Sequence, residues 1–226
     1  MFRYIPVMAL ASVFLTGTAC AASENSVYVS ARLLGSFEHI SAMDTSLRPG
    51  VGRYVSGRET ASYPGGSFAV GDRIGQSWRV EAEYVLPRST EYTSGSSIFP
   101  TSLNHFKNKK QRVTINLYRD IAVTKSTSIY VMAGVGAAIL RTSGWQGNPT
   151  RTFAPNNSTS VMYNVGAGVT RHFGEHHAID LGYRFVDLGN VHSGLNVFSN
   201  VRQLQDEQLK GHLYLHEIML GYRFTL

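Results

Sequence analysis

An all-β fold, an eight-stranded antiparallel transmembrane β-barrel with four long extracellular loops and short periplasmic turns, is the architecture this sequence predicts. Three observations lead there. The amino terminus reads as a secretory signal. Eight separate stretches alternate apolar and polar residues with period two. The connections between those stretches alternate short and long, the asymmetry of a barrel that crosses a membrane with strands.

Met1-Phe2-Arg3 supplies a basic start, Tyr4 to Phe14 an apolar run, and Ala19-Cys20-Ala21 a small-residue cleavage site. The expected processing removes 1–21 and leaves 22–226 as one barrel domain. Cys20 is the only cysteine, so the mature chain has none and no disulfide scaffold holds it. The formal charge is +6, charged residues are only 16% of the chain, and mean hydropathy is −0.10. No stretch after the signal reaches the ~18 apolar residues of a membrane helix, which leaves strands as the crossing element.

The first strand is expected over 27–38, with Val27, Val29, Ala31, Leu33 and Phe37 on one face and Tyr28, Ser30, Arg32, Ser36 and Glu38 on the other. A weaker one follows over 67–74. Strand three, 78–86, has the clearest alternation: Trp78, Val80, Ala82, Tyr84 and Leu86 against Arg79, Glu81 and Glu83. The fourth covers 111–118, the fifth 129–140, the sixth 160–170 and the seventh 178–188. The last, 215–226, sets Ile218, Leu220, Tyr222, Phe224 and Leu226 against Glu217, Met219, Gly221, Arg223 and Thr225. An apolar strand at the end of the chain would be an aggregation hazard as a free edge. Pairing with the first strand removes that edge, and an even strand number permits it. Short turns are expected near 72–77, 119–128 and 171–177, long loops over 39–66, 87–110, 141–159 and 189–212.

Sorting by alternation puts Arg32, Arg79, Arg112, Arg184 and Arg223 inside with Glu81, Glu83, Asp180 and Glu217. Buried charges persist only when paired and hydrogen-bonded. Such a lumen is a plugged polar core, not a pore. A soluble ligand-binding barrel would need the apolar face inside, and the aromatics near strand ends fit interfacial girdles instead.

Catalytic and metal signals are weak. Gly134-Val135-Gly136 and Gly166-Ala167-Gly168 lack the third glycine and following helix of a dinucleotide site. His172, His176 and His177 crowd one short turn without the convergence that zinc demands. His216-Glu217 is not a metalloprotease motif, because Leu220 stands where its second histidine belongs. His192-Ser193 with Asp187 is the nearest approach to a nucleophile and base, and adjacent residues rarely form one. Neither an enzyme nor a cofactor or metal site is expected.

The loops carry the more specific signal. Lys107, Lys109 and Lys110 cluster where the second loop enters its strand, with Arg112 at the rim, and the first loop adds Arg48, Arg53 and Arg58. Such a basic crown attracts polyanions, either sulfated host glycans or lipopolysaccharide phosphates. The third loop offers Trp145 and Phe153 as exposed aromatic contacts.

"YVMAGVGAA" (130–138), "YNVGAGVTRHF" (163–173), "AIDLGYRFVDLG" (178–189) and "HEIMLGYRF" (216–224) resemble the opacity-type outer-membrane proteins. The likeness covers the carboxyl-terminal half well and the first half more loosely. It implies a monomeric barrel in the Gram-negative outer membrane, delivered by the barrel assembly machinery. It also implies an adhesin or invasin whose loops bind host glycosaminoglycans or receptors, with no nucleic-acid partner. The competing expectation is a structural protein that binds lipopolysaccharide and supports membrane integrity. Such chains usually end in Phe, whereas here Phe224 is followed by Thr225-Leu226.

Overall fold

The computed structural model describes residues 27–43, 50 and 52–226. The expected signal peptide and Arg48 lie outside the described residues. Among the described residues nine strands form: β1 (Val27–Ser41), β2 (Tyr54–Ser56), β3 (Thr60–Ile74), β4 (Trp78–Ser96), β5 (Asn104–Thr124), β6 (Thr127–Gln146), β7 (Asn148–Phe173), β8 (His177–Leu195) and β9 (Gln208–Thr225). All but the three-residue β2 are long antiparallel staves. Their order is β4-β3-β1-β9-β8-β7-β6-β5, and a further β4–β5 ladder closes the ring, with β2 laid on the end of β4.

Closure at the seam of the chain runs from Tyr28↔Thr225 to Ser41↔His212, so the terminal strand pairs along its length with β1. One ladder is incomplete. β3 and β4 pair only from Ile74↔Trp78 to Ser67↔Val85. Beyond that point β4 bulges between Val85 and Arg88. Pro87 sits in this bulge, and Pro64 lies on the part of β3 that pairs with β1 but no longer with β4.

The outer wall carries an apolar band. Leu33, Phe68, Trp78, Ile115, Leu117, Val131, Val135, Val165, Leu181, Leu220 and Tyr222 are all exposed on it. Exposure of so much continuous apolar surface is stable only where the surrounding medium is apolar too. At one end the connections are two- or three-residue turns, with Gly75 and Gly174 at positive φ. At the other the strands continue well past the band.

That continuation corrects the expected loops. The stretch 141–159 is a β6–β7 hairpin turning at Gly147, and most of 87–110 belongs to β4 and β5. Alternation in hydropathy vanishes there because the outer face no longer meets an apolar medium, while the backbone ladder carries on.

The interior is layered rather than uniformly polar. Toward the loop end Ile40, Tyr92, Phe106, Leu140, Phe153, Leu188, Leu209, Leu213 and Leu215 pack as one buried apolar cluster. Below it lies a chain of ion pairs. Arg112 Nη2 donates to Glu217 Oε1 (2.5 Å), and Arg184 bridges Glu217 (2.6 Å) and Glu83 (2.5 Å). Arg32 grips Glu81 with both Nη atoms (2.7 and 2.5 Å) and approaches Glu83 at 3.5 Å. Arg79 binds Asp120 (2.6 and 2.9 Å), and Arg223 faces Asp180 at 3.6 Å.

Candidate functional site

The four connections at the loop end are tied to one another by backbone hydrogen bonds. In the first, Arg53 O accepts from Ser97 N (3.0 Å) and Arg58 O from Thr93 N (3.0 Å), which couples it to β4 and the second loop. Gly147 N donates to Leu103 O (2.7 Å), joining the second loop to the β6–β7 hairpin. Val197 N donates to Thr152 O (2.9 Å), joining that hairpin to the fourth loop, which is ordered internally by the Asn200 side chain accepting from Arg202 N and Leu204 N. Phe153 stacks edge-on against Phe198, and Arg151 lies over the Phe198 ring at 4.2 Å. The product is a single cap, not four independent loops.

On this cap Val55, Ile98, Phe99, Val197, Val201 and Leu204 are exposed, well away from the apolar wall band. Arg53 and Arg58 are exposed beside them. A cavity of about 400 Å³ opens between the loops, floored by Phe106, Phe153 and Leu209 and rimmed by Arg53, Phe99 and Val201. Tyr54, at its edge, donates to Glu59 (3.1 Å); burial first, then that carboxylate, raise its phenol above the ordinary value.

Three sequence-predicted contacts fall elsewhere. Lys110 and Arg112 do not reach solvent. Both point into the barrel, Lys110 onto Glu38 (2.6 Å) and Arg112 onto Glu217. Period two along β5 explains it: Val113, Ile115 and Leu117 face out, so 110, 112, 114 and 116 face in. Phe153 is buried in the apolar cluster, because a β7 residue whose cross-strand partner is Gly144 finds room inside. Trp145 is half-buried, stacked on His105 at 4.5 Å with the Lys107 ammonium 4.7 Å from its ring. Lys107 and Lys109 are exposed, on the outer wall below the cap.

The candidate catalytic group does not assemble. Ser193 Oγ is buried, donating to Gly194 O and accepting from Leu209 N. His176 and His177 turn to separate partners, Thr225 O and the Tyr222 hydroxyl. Sequence reasoning missed a different cluster: Asp187 Oδ2 takes hydrogen bonds from Tyr163 (2.8 Å) and His212 (3.0 Å), while Asp187 Oδ1 caps Gly189 N at a bulge of β8. Its residues lie on three strands, and only the register unites them.

Comparison with known proteins fits this architecture. A candidate adhesin of Rickettsia bellii is 24% identical over 174 residues, 71% of this chain and 74% of that protein. A second, from Rickettsia typhi, is 28% identical over 123 residues, and the match spans about half the length of each chain (51%). Among solved structures, OprG of Pseudomonas aeruginosa has a TM-score of 0.54 at 11% identity, over 89% of this chain and 96% of OprG. The outer membrane protein AlkL in DMPC bilayers has a TM-score of 0.53 at 13% identity, over 93% and 95%. At these identities the structural likeness is one of fold. A family model described as the outer membrane protein beta-barrel domain matches residues 7–224. The chain therefore belongs to that family, a β-barrel of the Gram-negative outer membrane.

Proposed function

We propose that the protein is a surface adhesin of the opacity type, which engages host-cell receptors through the loop cap. The observation that carries this reading is the apolar exposure of Val55, Ile98, Phe99, Val197, Val201 and Leu204 on a cap whose loops are hydrogen-bonded together. Apolar side chains held out into water by a rigid scaffold mark a contact surface, and pre-ordering lowers the entropic cost of binding. Exposed Arg53 and Arg58 beside them give the contact a basic rim, suited to acidic receptor segments or sulfated glycans. The rickettsial relatives described as candidate adhesins support the same class.

The test is binding of cultured host cells by bacteria that display the protein, wild type beside the triple variant Ile98→Ser, Phe99→Ser, Val201→Ser. The expected result is loss of most cell binding at equal surface display. A second variant, Arg53→Gln with Arg58→Gln, is expected to lower retention on heparin. Undiminished cell binding by the triple variant would refute the reading.

A further inference from the structure

We propose that the outer wall of β5 and β6 holds the phosphate of a phosphorylated glycolipid of the outer leaflet, with Lys109 and Arg141 as its two cations. The two residues are direct cross-strand partners, and both are exposed. Like charges directly opposite one another on a sheet destabilise the pair unless something neutralises them. Among the described residues neither side chain has an ion-pair or hydrogen-bond partner. The acid on the neighbouring strand is already engaged: Glu91 takes His105 at 2.8 Å and Lys107 at 3.7 Å.

Height on the wall identifies the missing counter-charge. The next outward pair below is Gln111↔Ile139, and below that Val113↔Ala137 and Ile115↔Val135. The cations therefore stand about 7 Å above the edge of the apolar band, two residues up the strand, where lipid headgroups replace acyl chains. The feature is local, not a uniform basic belt. Across β7 the wall carries an acid, Asp187, which meets His212 at 3.0 Å, with Lys210 exposed further up β9. Two adjacent unpaired cations complement a phosphomonoester, which carries a charge of about −1.5 to −2 at neutral pH, better than the single charge of a phospholipid diester. Higher on the same strip the half-buried Trp145 and His105 stack stand level with the sugars of such a lipid, not with acyl chains.

The experiment measures affinity of the refolded barrel in detergent for bisphosphorylated lipid A, dephosphorylated lipid A, phosphatidylglycerol and inorganic phosphate. Wild type is compared with Lys109→Gln/Arg141→Gln, with Lys109→Arg/Arg141→Lys, and with Lys125→Gln/Arg171→Gln, which removes the same charge at the turn end. At about 1 kcal/mol per cation, the Gln pair is expected to bind bisphosphorylated lipid A tenfold to thirtyfold more weakly, with the charge-retaining pair and the turn-end pair near wild type. Dephosphorylation is expected to remove the difference. Equal affinity of wild type and the Gln pair, both folded by their gel mobility without heating, would overturn the site. Equal binding of phosphatidylglycerol and bisphosphorylated lipid A would overturn the assignment to a glycolipid, and saturation by inorganic phosphate alone would do the same.

Discussion

Glu217 accepts from Arg112, Arg184 and Ser36 and is fully buried, so its carboxylate is the junction of two guanidinium groups. Removing one member of a buried ionic set leaves its partners charged and unsatisfied, which costs about 3–5 kcal/mol. Glu217→Ala is expected to lose about that much in denaturant unfolding from detergent micelles, while Lys109→Gln on the outer wall changes stability by less than about 0.5 kcal/mol. Lys110 gives the complementary case. Its ammonium is held by Glu38 inside the barrel, with Thr90 alongside at 3.0 Å. Lys110→Gln is expected to lower unfolding stability and to leave heparin retention unchanged, the reverse of Arg53→Gln with Arg58→Gln. A drop in heparin retention for Lys110→Gln would place that side chain outside. At this scale sequence reading stumbled where two signals competed. A run of three lysines within four residues reads as one patch, but parity along β5 sends Lys107 and Lys109 outward and Lys110 inward.

Among the elements, each strand's membrane half was legible because its two faces meet different media. Val113, Ile115 and Leu117 against Arg112, Thr114 and Asn116 is a period-two pattern that a helix could not bury. Past the lipid edge both faces are mixed, so the strand persists while its signature fades, and β7 runs to 26 residues. Glycines show which backbones touch. A methyl group on Gly136 would collide with the Val113 carbonyl oxygen and lie 2.7 Å from Thr114 Cα, backbone that cannot move aside. Gly75, at φ +65°, has open space around its missing side chain. Gly136→Val is accordingly expected to cost the ~1–3 kcal/mol of overpacking or to block folding. Gly75→Asn, suited to that φ, is expected to stay within about 0.5 kcal/mol of wild type by the same unfolding assay. Similar losses for both would contradict the assigned β5–β6 register.

For the whole molecule, structure divides the work by height. The wall and its ion-paired lumen provide a scaffold that a bilayer can surround, and the cap is the surface proposed to meet a receptor. Barrel closure was readable from the terminal strand, since Ile218 to Leu226 needed a partner and β1 supplies it. The cap was not readable. Its inter-loop bonds join residues as distant as Thr152 and Val197 through backbone groups that every residue possesses, so no side-chain pattern announces them. The measurement that bears most directly on adhesion through the cap is host-cell binding by a barrel with 42–59 and 196–207 each replaced by a short Asn-Gly turn. Closure of the wall does not require those segments, so the variant is expected to reach the surface and show the folded barrel's gel mobility without heating, yet to bind cells no better than bacteria lacking the protein. Wild-type cell binding by that shortened, folded barrel would contradict the account.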